Sequence, residues 1–437
     1  MMTFDNLILG ENTVVSTDSV STGVNNNVLV VGGTGSGKTM SVSEPALLET
    51  CRDNMIVTLT KRRLVDRYKR LFQERGYRVL DLNFAEPAKG SVFYDPLAFV
   101  CDERDAASLA EAIVEAGGRT SSDPYWDNAS VALLTAEIAA VNDLKNRPTF
   151  KDVMDLHGKL RFTSRPSGRL TAEDMLSSLA DPRRTVTAYT TLDEYYGRLE
   201  AKDPDSYAVS CWRSFREMPE KTARCIFGTL NPILNRMFPP QFLEGLAKGS
   251  CSRLDLESFA ENRSILFVTS RPGANAGLQQ LIALFYSQVF GELFRMAEER
   301  ENRRLPRTVR LLCDDFAAGG KIKGFAENIS VFREKGISVT LLIQSQSQLE
   351  ALYGDADAAT IVNNCDSYVY MGGMDTATAL EIAKKVDRPL DEVLWMPVGD
   401  VWIMRRGQRP IRTRRYDIQA DERWQRLSGR EDRGRER

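Results

Sequence analysis

Residues 32–39 read Gly32-Gly33-Thr34-Gly35-Ser36-Gly37-Lys38-Thr39. The pattern G-x-x-x-x-G-K-[ST] is the phosphate-binding P-loop, and each position in it has a mechanical task. The glycines let backbone N–H groups close around phosphates, Lys38 reaches the β- and γ-phosphates, and the Thr39 hydroxyl takes a Mg²⁺ position. The flanks agree with this. Val28-Leu29-Val30-Val31 is a short apolar, β-branched run suited to a buried parallel strand. Met40 to Cys51 can begin a helix whose N-terminus faces the phosphates. A Gly-rich turn alone leaves the Lys38-Thr39 pair unexplained.

The 437 residues suffice for two or three domains and a large core. A hydrophobic share of 42% and a charged share of 27% describe an ordinary globular chain. The net charge of −2 excludes a whole-surface nucleic-acid footprint, so any DNA contact must come from a local patch. The 7 cysteines include no C-x-x-C pair, and the chain has 1 histidine, His157. A zinc site is therefore not expected, and the thiols read as reduced packing residues. The N-terminus has no secretory signature, and no apolar run approaches the roughly 20 residues needed to span a bilayer.

Outward from the P-loop, strand and helix signals alternate. Met55–Thr60 reads as a strand, Arg62–Arg75 as a charged helix, and Arg78–Leu82 as the next strand. That rhythm predicts an α/β domain with a mainly parallel sheet. From about 103 to 225 it is lost. Helical patterns at Ala106–Ala116, Ala129–Leu144, Ala172–Leu179 and Asp205–Glu217 predict an inserted all-α domain. Strand signals resume at Ser264–Thr269, Val309–Cys313, Ile337–Ile343 and Ser367–Met371, with a helix over Leu278–Arg300 and a closing hairpin at 401–416. The expected division is thus 1–102 and 226–420 for the α/β domain and 103–225 for the insert. The charged tail 421–437 is expected to be disordered.

Four further stretches carry candidate chemistry. Leu311-Leu312-Cys313-Asp314-Asp315 is an apolar strand ending in two carboxylates, the Walker B arrangement. Asp314 would hold Mg²⁺ through water, and Asp315 would polarise the water that attacks the γ-phosphate. Gln344 is the first polar residue after the apolar strand 337–343, where a side chain can sense the γ-phosphate; a Gln-rich helix start is the competing account. Arg333 precedes a Gly-ended helix terminus. It is either a solvated surface cation or a finger supplied in trans across a subunit interface. Arg405, Arg406, Arg409, Arg412, Arg414 and Arg415 form a cluster that either contacts a phosphate backbone or protects an edge hairpin from strand addition. His157 reads as structural.

Taken together, these residues resemble the TraG/TraD-like coupling-protein ATPases of conjugative type IV secretion. The resemblance runs from Asn26 to about Tyr416. It rests on Asp314-Asp315-Phe316, Gly320-Lys321-Ile322, Arg333, Gly336-Ile337-Ser338-Val339, Gln344-Ser345, Tyr353-Gly354, Asn364-Cys365-Asp366 and Gly372-Gly373, in order and spacing. Upstream, Tyr94-Asp95-Pro96-Leu97 and Asp123-Pro124-Tyr125-Trp126-Asp127 also fit. The resemblance implies a RecA-like nucleotide-binding domain with an all-α insert, assembly as a homo-hexamer, and use of ATP with Mg²⁺ to pass relaxase-bound single-stranded DNA to the secretion channel. It strengthens Arg333 as a trans finger and Gln344 as a sensor, and it assigns the insert to cargo recognition.

Three departures stand out. The family's N-terminal transmembrane pair is not seen, so a separate membrane-anchor protein would hold this chain at the cytoplasmic face. After the second strand only Lys61 of the family's Asp-Pro-Lys-Gly-Glu survives. Asp315 stands where Glu is usual, which keeps open a cargo adaptor with weak hydrolysis beside the motor reading. A DNA pump of the FtsK/HerA type shares the same nucleotide motifs, and the helical insert argues against it.

Overall fold

Every residue of Val28–Val31, of Val309–Cys313 and of Ile337–Ile343 is buried. They are buried throughout because both faces of a parallel sheet are covered by helices, and the polar members Arg310, Ser338 and Thr340 are buried with the rest. The computed structural model of the chain describes residues 5–59, 62–118, 123–144, 146–163, 189–248, 252–270 and 276–435. It divides into two compact units. The first is Met1–Val92 with Leu254–Ala274 and Val289–Arg437, and the second is Phe93–Arg253 with Asn275–Gln288.

The first unit is built on one large sheet. Its strands run in the order Ile411–Arg414, Asp400–Arg405, Ser367–Tyr370, Val28–Val31, Ile337–Ile343, Val309–Cys313, Asn54–Leu59, Ser264–Thr269, Arg78–Asn83. From Ser367–Tyr370 to Arg78–Asn83 all neighbours are parallel. The hairpin Asp400–Arg405 with Ile411–Arg414 is antiparallel and closes one edge. The class is α/β, as the strand–helix rhythm predicts. The strand that leads into the P-loop lies between Ser367–Tyr370 and Ile337–Ile343, and the next neighbour, Val309–Cys313, carries the two acids. The order puts the C-terminal ends of these strands side by side, where ligands collect in open α/β sheets.

The second unit is mainly helical, with helices Glu103–Ala116, Pro124–Leu144, Phe150–His157, Asp193–Lys202, Tyr207–Arg216 and Glu220–Met237 among its elements. One two-residue antiparallel ladder, Phe162–Thr163 with Tyr189–Thr190, accompanies them. The expected helix 172–179 lies outside the described residues. The unit begins before and ends after the expected 103–225, and Asp95 supplies the reason. This buried carboxylate accepts from Leu97 N at 3.1 Å, Phe150 N at 3.0 Å and an Arg253 guanidinium nitrogen at 2.6 Å. Residues at both chain ends of the unit thereby share one anchor. Burial pushes the Asp95 carboxyl up, and Arg253 is the first of the groups opposing that shift.

The tail differs from expectation. Residues Glu422–Arg435 form a helix instead of a disordered segment. Trp424 Nε1 donates to Glu44 Oε2 at 2.8 Å, Arg67 lies 5.2 Å over the Trp424 ring, and Leu427 is buried in the core. A few apolar side chains on one face suffice to dock a helix whose composition is otherwise charged.

Candidate functional site

Backbone bonds fix the loop that follows Val31. Gly32 N donates to Ile343 O at 3.2 Å and Gly33 N to Gly372 O at 2.9 Å, one anchor from each flanking strand region. Gly35 and Gly37 take φ of 80° and 91°, which only glycine adopts without strain. A side chain on Gly32 would meet Ser36 Oγ at 2.6 Å and Met371 Cβ at 2.9 Å. The chain then enters a π-helical turn at Thr39–Ser43 and the helix Glu44–Glu49.

Lys38 is buried, and its ammonium donates to the carbonyls of Gly32 and, at 3.2 Å, Gly33. Burial lowers its pKa, while the Asp315 and then Asp314 carboxylates oppose the shift. Asp314 follows the buried strand, and its Oδ2 accepts from Thr39 Oγ1 at 3.0 Å. Its neighbour Asp315 sits in the left-handed region, at φ 54° and ψ 45°. Asp tolerates that region better than longer side chains do. Gln344 accepts from Thr34 Oγ1 at 3.3 Å. Ser345 caps the next helix through Gln348 N, so Gln346 and Gln348 belong to the helix start.

These groups share one cleft of about 330 Å³, lined by Thr34 to Met40 together with Asp314, Asp315 and Gln344. The structure thus brings Thr34–Thr39, both acids and Gln344 together, with Gly32 and Gly33 forming the loop's base. It does not bring Arg333 to them. Arg333 lies before Ile337–Ile343, at the opposite end of that strand from Gln344 and roughly 20 Å away along it. Its guanidinium donates to Ser19 O at 2.8 Å.

Nothing in the sequence assigns three further contributors to this cleft. Arg63 and Glu44 also line the cleft. Glu44 is buried and accepts on Oε2 from Arg67 at 2.9 Å, Tyr68 at 2.9 Å and Trp424 at 2.8 Å. Arg415 donates to Ser36 O at 2.7 Å, so one member of the arginine cluster rests on the P-loop itself. Other members are engaged on the hairpin or beside it. Arg412 pairs with Asp400 at 2.8 Å, and Arg406 lies 3.7 Å from Asp366.

The arrangement fits a nucleotide phosphate chain with a hard divalent cation. A glycine cradle, a buried ammonium, a hydroxyl and a carboxylate converge, and the oxygen donors are of the kind Mg²⁺ takes. Residues 2–388 match the family model described as Type IV secretory system Conjugative DNA transfer. The chain belongs to that conjugative DNA-transfer family. It is 23% identical over 366 residues to Protein VirD4 of Agrobacterium fabrum, covering 82% of this chain and 49% of that protein. The chain therefore spans about half the length of this curated relative. Two solved structures of the plasmid coupling protein TrwB share the fold of this family member. One is in complex with the ATP analogue ADPNP (TM-score 0.60, 16% identity) and covers 89% of this chain and 85% of that one. The other is in complex with ADP and Mg²⁺ (TM-score 0.60, 17% identity), with the same coverage. At these identities the likeness establishes the RecA-like fold of the family and nothing finer. Among the described residues, no helix is long and apolar enough to cross a membrane.

Proposed function

We propose that this chain is the ATP-hydrolysing coupling protein of a conjugative type IV secretion system. It recruits relaxase-bound single-stranded DNA and drives it toward the secretion channel. The observation that carries the nucleotide part is the meeting of Lys38, Thr39 and Asp314 across one cleft, with the Thr39–Asp314 bond at 3.0 Å. The family supports the transfer part.

Backbone N–H groups of Gly33 to Thr39 bind the phosphates, and Lys38 neutralises charge on the β- and γ-groups. Thr39 and Asp314 would hold Mg²⁺, which supplies further neutralisation of charge as the γ-phosphoryl departs. Asp315 orients the attacking water and accepts its proton. The water oxygen bonds to the γ-phosphorus while the bond to the β–γ bridging oxygen breaks, leaving ADP and phosphate. Gln344, tied to Thr34, reports whether the γ-phosphate is present. Arg333 acts in trans from a neighbour in a homo-hexamer, because within its own chain it lies at the wrong end of the strand. The helical unit recognises cargo, and a membrane-anchor protein holds the assembly at the cytoplasmic face.

The shorter acid at 315 favours a second reading, in which the chain binds ATP, hydrolyses it slowly and serves as a cargo adaptor. Calorimetric titration of ATP with and without Mg²⁺, on the wild type and Thr39→Ala, tests the site. Mg²⁺-dependent binding weakened in the variant is expected. Binding indifferent to both metal and variant contradicts the assignment.

A further inference from the structure

The helix Arg62–Glu74 carries two arginines at its start, and they face different ways. The strand before it, Asn54–Leu59, runs parallel to the acid-bearing strand Val309–Cys313, with Thr58 level with Cys313. Asp314 N then donates to Thr58 O at 3.3 Å. The chain leaving Leu59 and the chain leaving Cys313 therefore emerge side by side at one end of the sheet.

Arg62 turns away from the acids. Its guanidinium grips both oxygens of the buried Asp81, Oδ1 at 2.6 Å. Asp81 belongs to Arg78–Asn83, two strands beyond Asn54–Leu59 on the side away from Val309–Cys313. Successive residues on a helix are rotated by roughly 100°, so Arg63 takes another direction. It lies one turn before Arg67, on the same face. Arg67 and Tyr68 each donate at 2.9 Å to Glu44, on the helix that follows the P-loop. The helix is thus clamped at its start by Asp81 and in its middle by Glu44. Arg63 lines the phosphate cleft together with Lys38, Thr39, Asp314, Asp315 and Gln344.

The Arg63 side chain is exposed, and among the described residues it has no hydrogen-bond or ion-pair partner. Arg333, by contrast, is engaged by Ser19 O at the far end of the sheet. The other cation lining the cleft is Lys38. A triphosphate brings more negative charge than Mg²⁺ and one ammonium neutralise. A guanidinium answers that need with five donors in a plane that matches phosphate oxygens. Arg63 also occupies the last position of the stretch where the family pattern ends in Glu, so the cation is this chain's own.

We propose that Arg63 meets the γ-phosphate of the nucleotide bound in its own chain and neutralises charge on the γ-oxygens during hydrolysis. The assignment rests on the nucleotide reading above and deepens it. It adds a guanidinium in cis to the one that Arg333 would bring from a neighbour.

The test compares ATP with ADP, each with Mg²⁺, by calorimetry on the full chain, beside steady-state turnover. Arg63 is exposed, so its truncation leaves the core intact. Arg63→Ala is expected to weaken ATP about tenfold more than ADP, which lacks the γ-group, and Arg63→Lys to recover part of the difference. Turnover in Arg63→Ala should fall by about 10³-fold, the lower end of what an arginine on the transferred group supplies. An unchanged ratio of ATP to ADP affinity overturns the proposal, whatever the wild-type rate. A mixture of Arg63→Ala with Lys38→Ala chains should stay as slow as either alone, because each site lacks a group of its own chain. Turnover recovered on mixing would show Arg63 acting in trans and overturn the assignment in cis. If Lys38→Ala binds both nucleotides as tightly as the wild type, the nucleotide reading itself fails, and the role of Arg63 with it.

Discussion

Thr39 Oγ1 donates to Asp314 Oδ2 at 3.0 Å, joining two residues that lie 275 positions apart in the chain. The bond aligns the P-loop hydroxyl and the first strand-end acid on the same side of the cleft. Asp314→Asn keeps the shape and removes the charge. We expect Mg²⁺ affinity in the presence of ATP to fall by about 10- to 100-fold, the range seen when a group that orients metal-bound ligands is lost. A Mg²⁺ titration of ATP turnover reads this directly, and removal of the metal with EDTA should abolish turnover in the wild type.

Asp315 holds a left-handed backbone conformation, φ 54°. Asn populates that region as readily as Asp and differs only in the lost carboxylate. Asp315→Asn should leave thermal stability within about 0.5 kcal/mol of the wild type. Turnover should drop by roughly 10²- to 10⁴-fold, the usual contribution of a general base. Equal turnover in the two proteins would remove Asp315 from the mechanism. The same backbone geometry explains why the shorter acid is tolerated at a position where the family usually carries Glu. Asp315→Glu should therefore cost stability even if it speeds hydrolysis.

Burial lowers the pKa of Lys38 below the ordinary value of 10.5, with Asp315 and Asp314 only partly restoring it. Phosphates placed beside the ammonium raise that pKa again. Nucleotide binding is then linked to proton uptake on the alkaline side. ATP affinity is full below the pKa of the free protein and declines as pH rises through it. Calorimetry in buffers of different ionisation enthalpy should show protons taken up on binding in the wild type and none in Lys38→Met.

The C-terminal helix predicts a stability effect. Trp424 gives Glu44 a hydrogen bond beside those from Arg67 and Tyr68, and it stacks under Arg67. Losing a hydrogen bond to a buried carboxylate costs about 1.5–3 kcal/mol. Trp424→Ala should lower the melting temperature accordingly, and truncation after Ala420 should lower it at least as much.

His157 Nδ1 lies 3.0 Å from both carboxylate oxygens of Glu137, and both side chains are buried. The ring also stacks on Phe227 at 4.9 Å. His157→Ala leaves a buried carboxylate without that partner and opens a void, at a cost of about 3 kcal/mol or more. Scanning calorimetry should show the loss, while the affinity of the P-loop site for ATP stays unchanged.

The sequence made the parallel strands legible because burial on both faces leaves strongly apolar runs such as Val28–Val31. The residues that meet in the candidate cleft could be picked out for a related reason. They occupy fixed offsets at strand ends, so Lys38, Thr39 and Asp314 announce themselves without any knowledge of strand order. Arg415 and Trp424 could not be read this way. Their partners, Ser36 and Glu44, lie 379 and 380 positions away, and only the sheet order brings them together. The tail was misjudged because charge density hid its apolar contacts at Trp424 and Leu427. Asp95 binds Phe150 and Arg253 across the chain rather than along it, a link that no local pattern carries.

The central claim is that ATP hydrolysis at Lys38 serves DNA transfer. Steady-state ATP turnover by the purified chain, with and without single-stranded DNA and beside Lys38→Ala, tests it most directly. The account predicts turnover that rises when DNA is added and vanishes in the variant. ATP binding without turnover, unmoved by DNA, would contradict the motor and leave the adaptor.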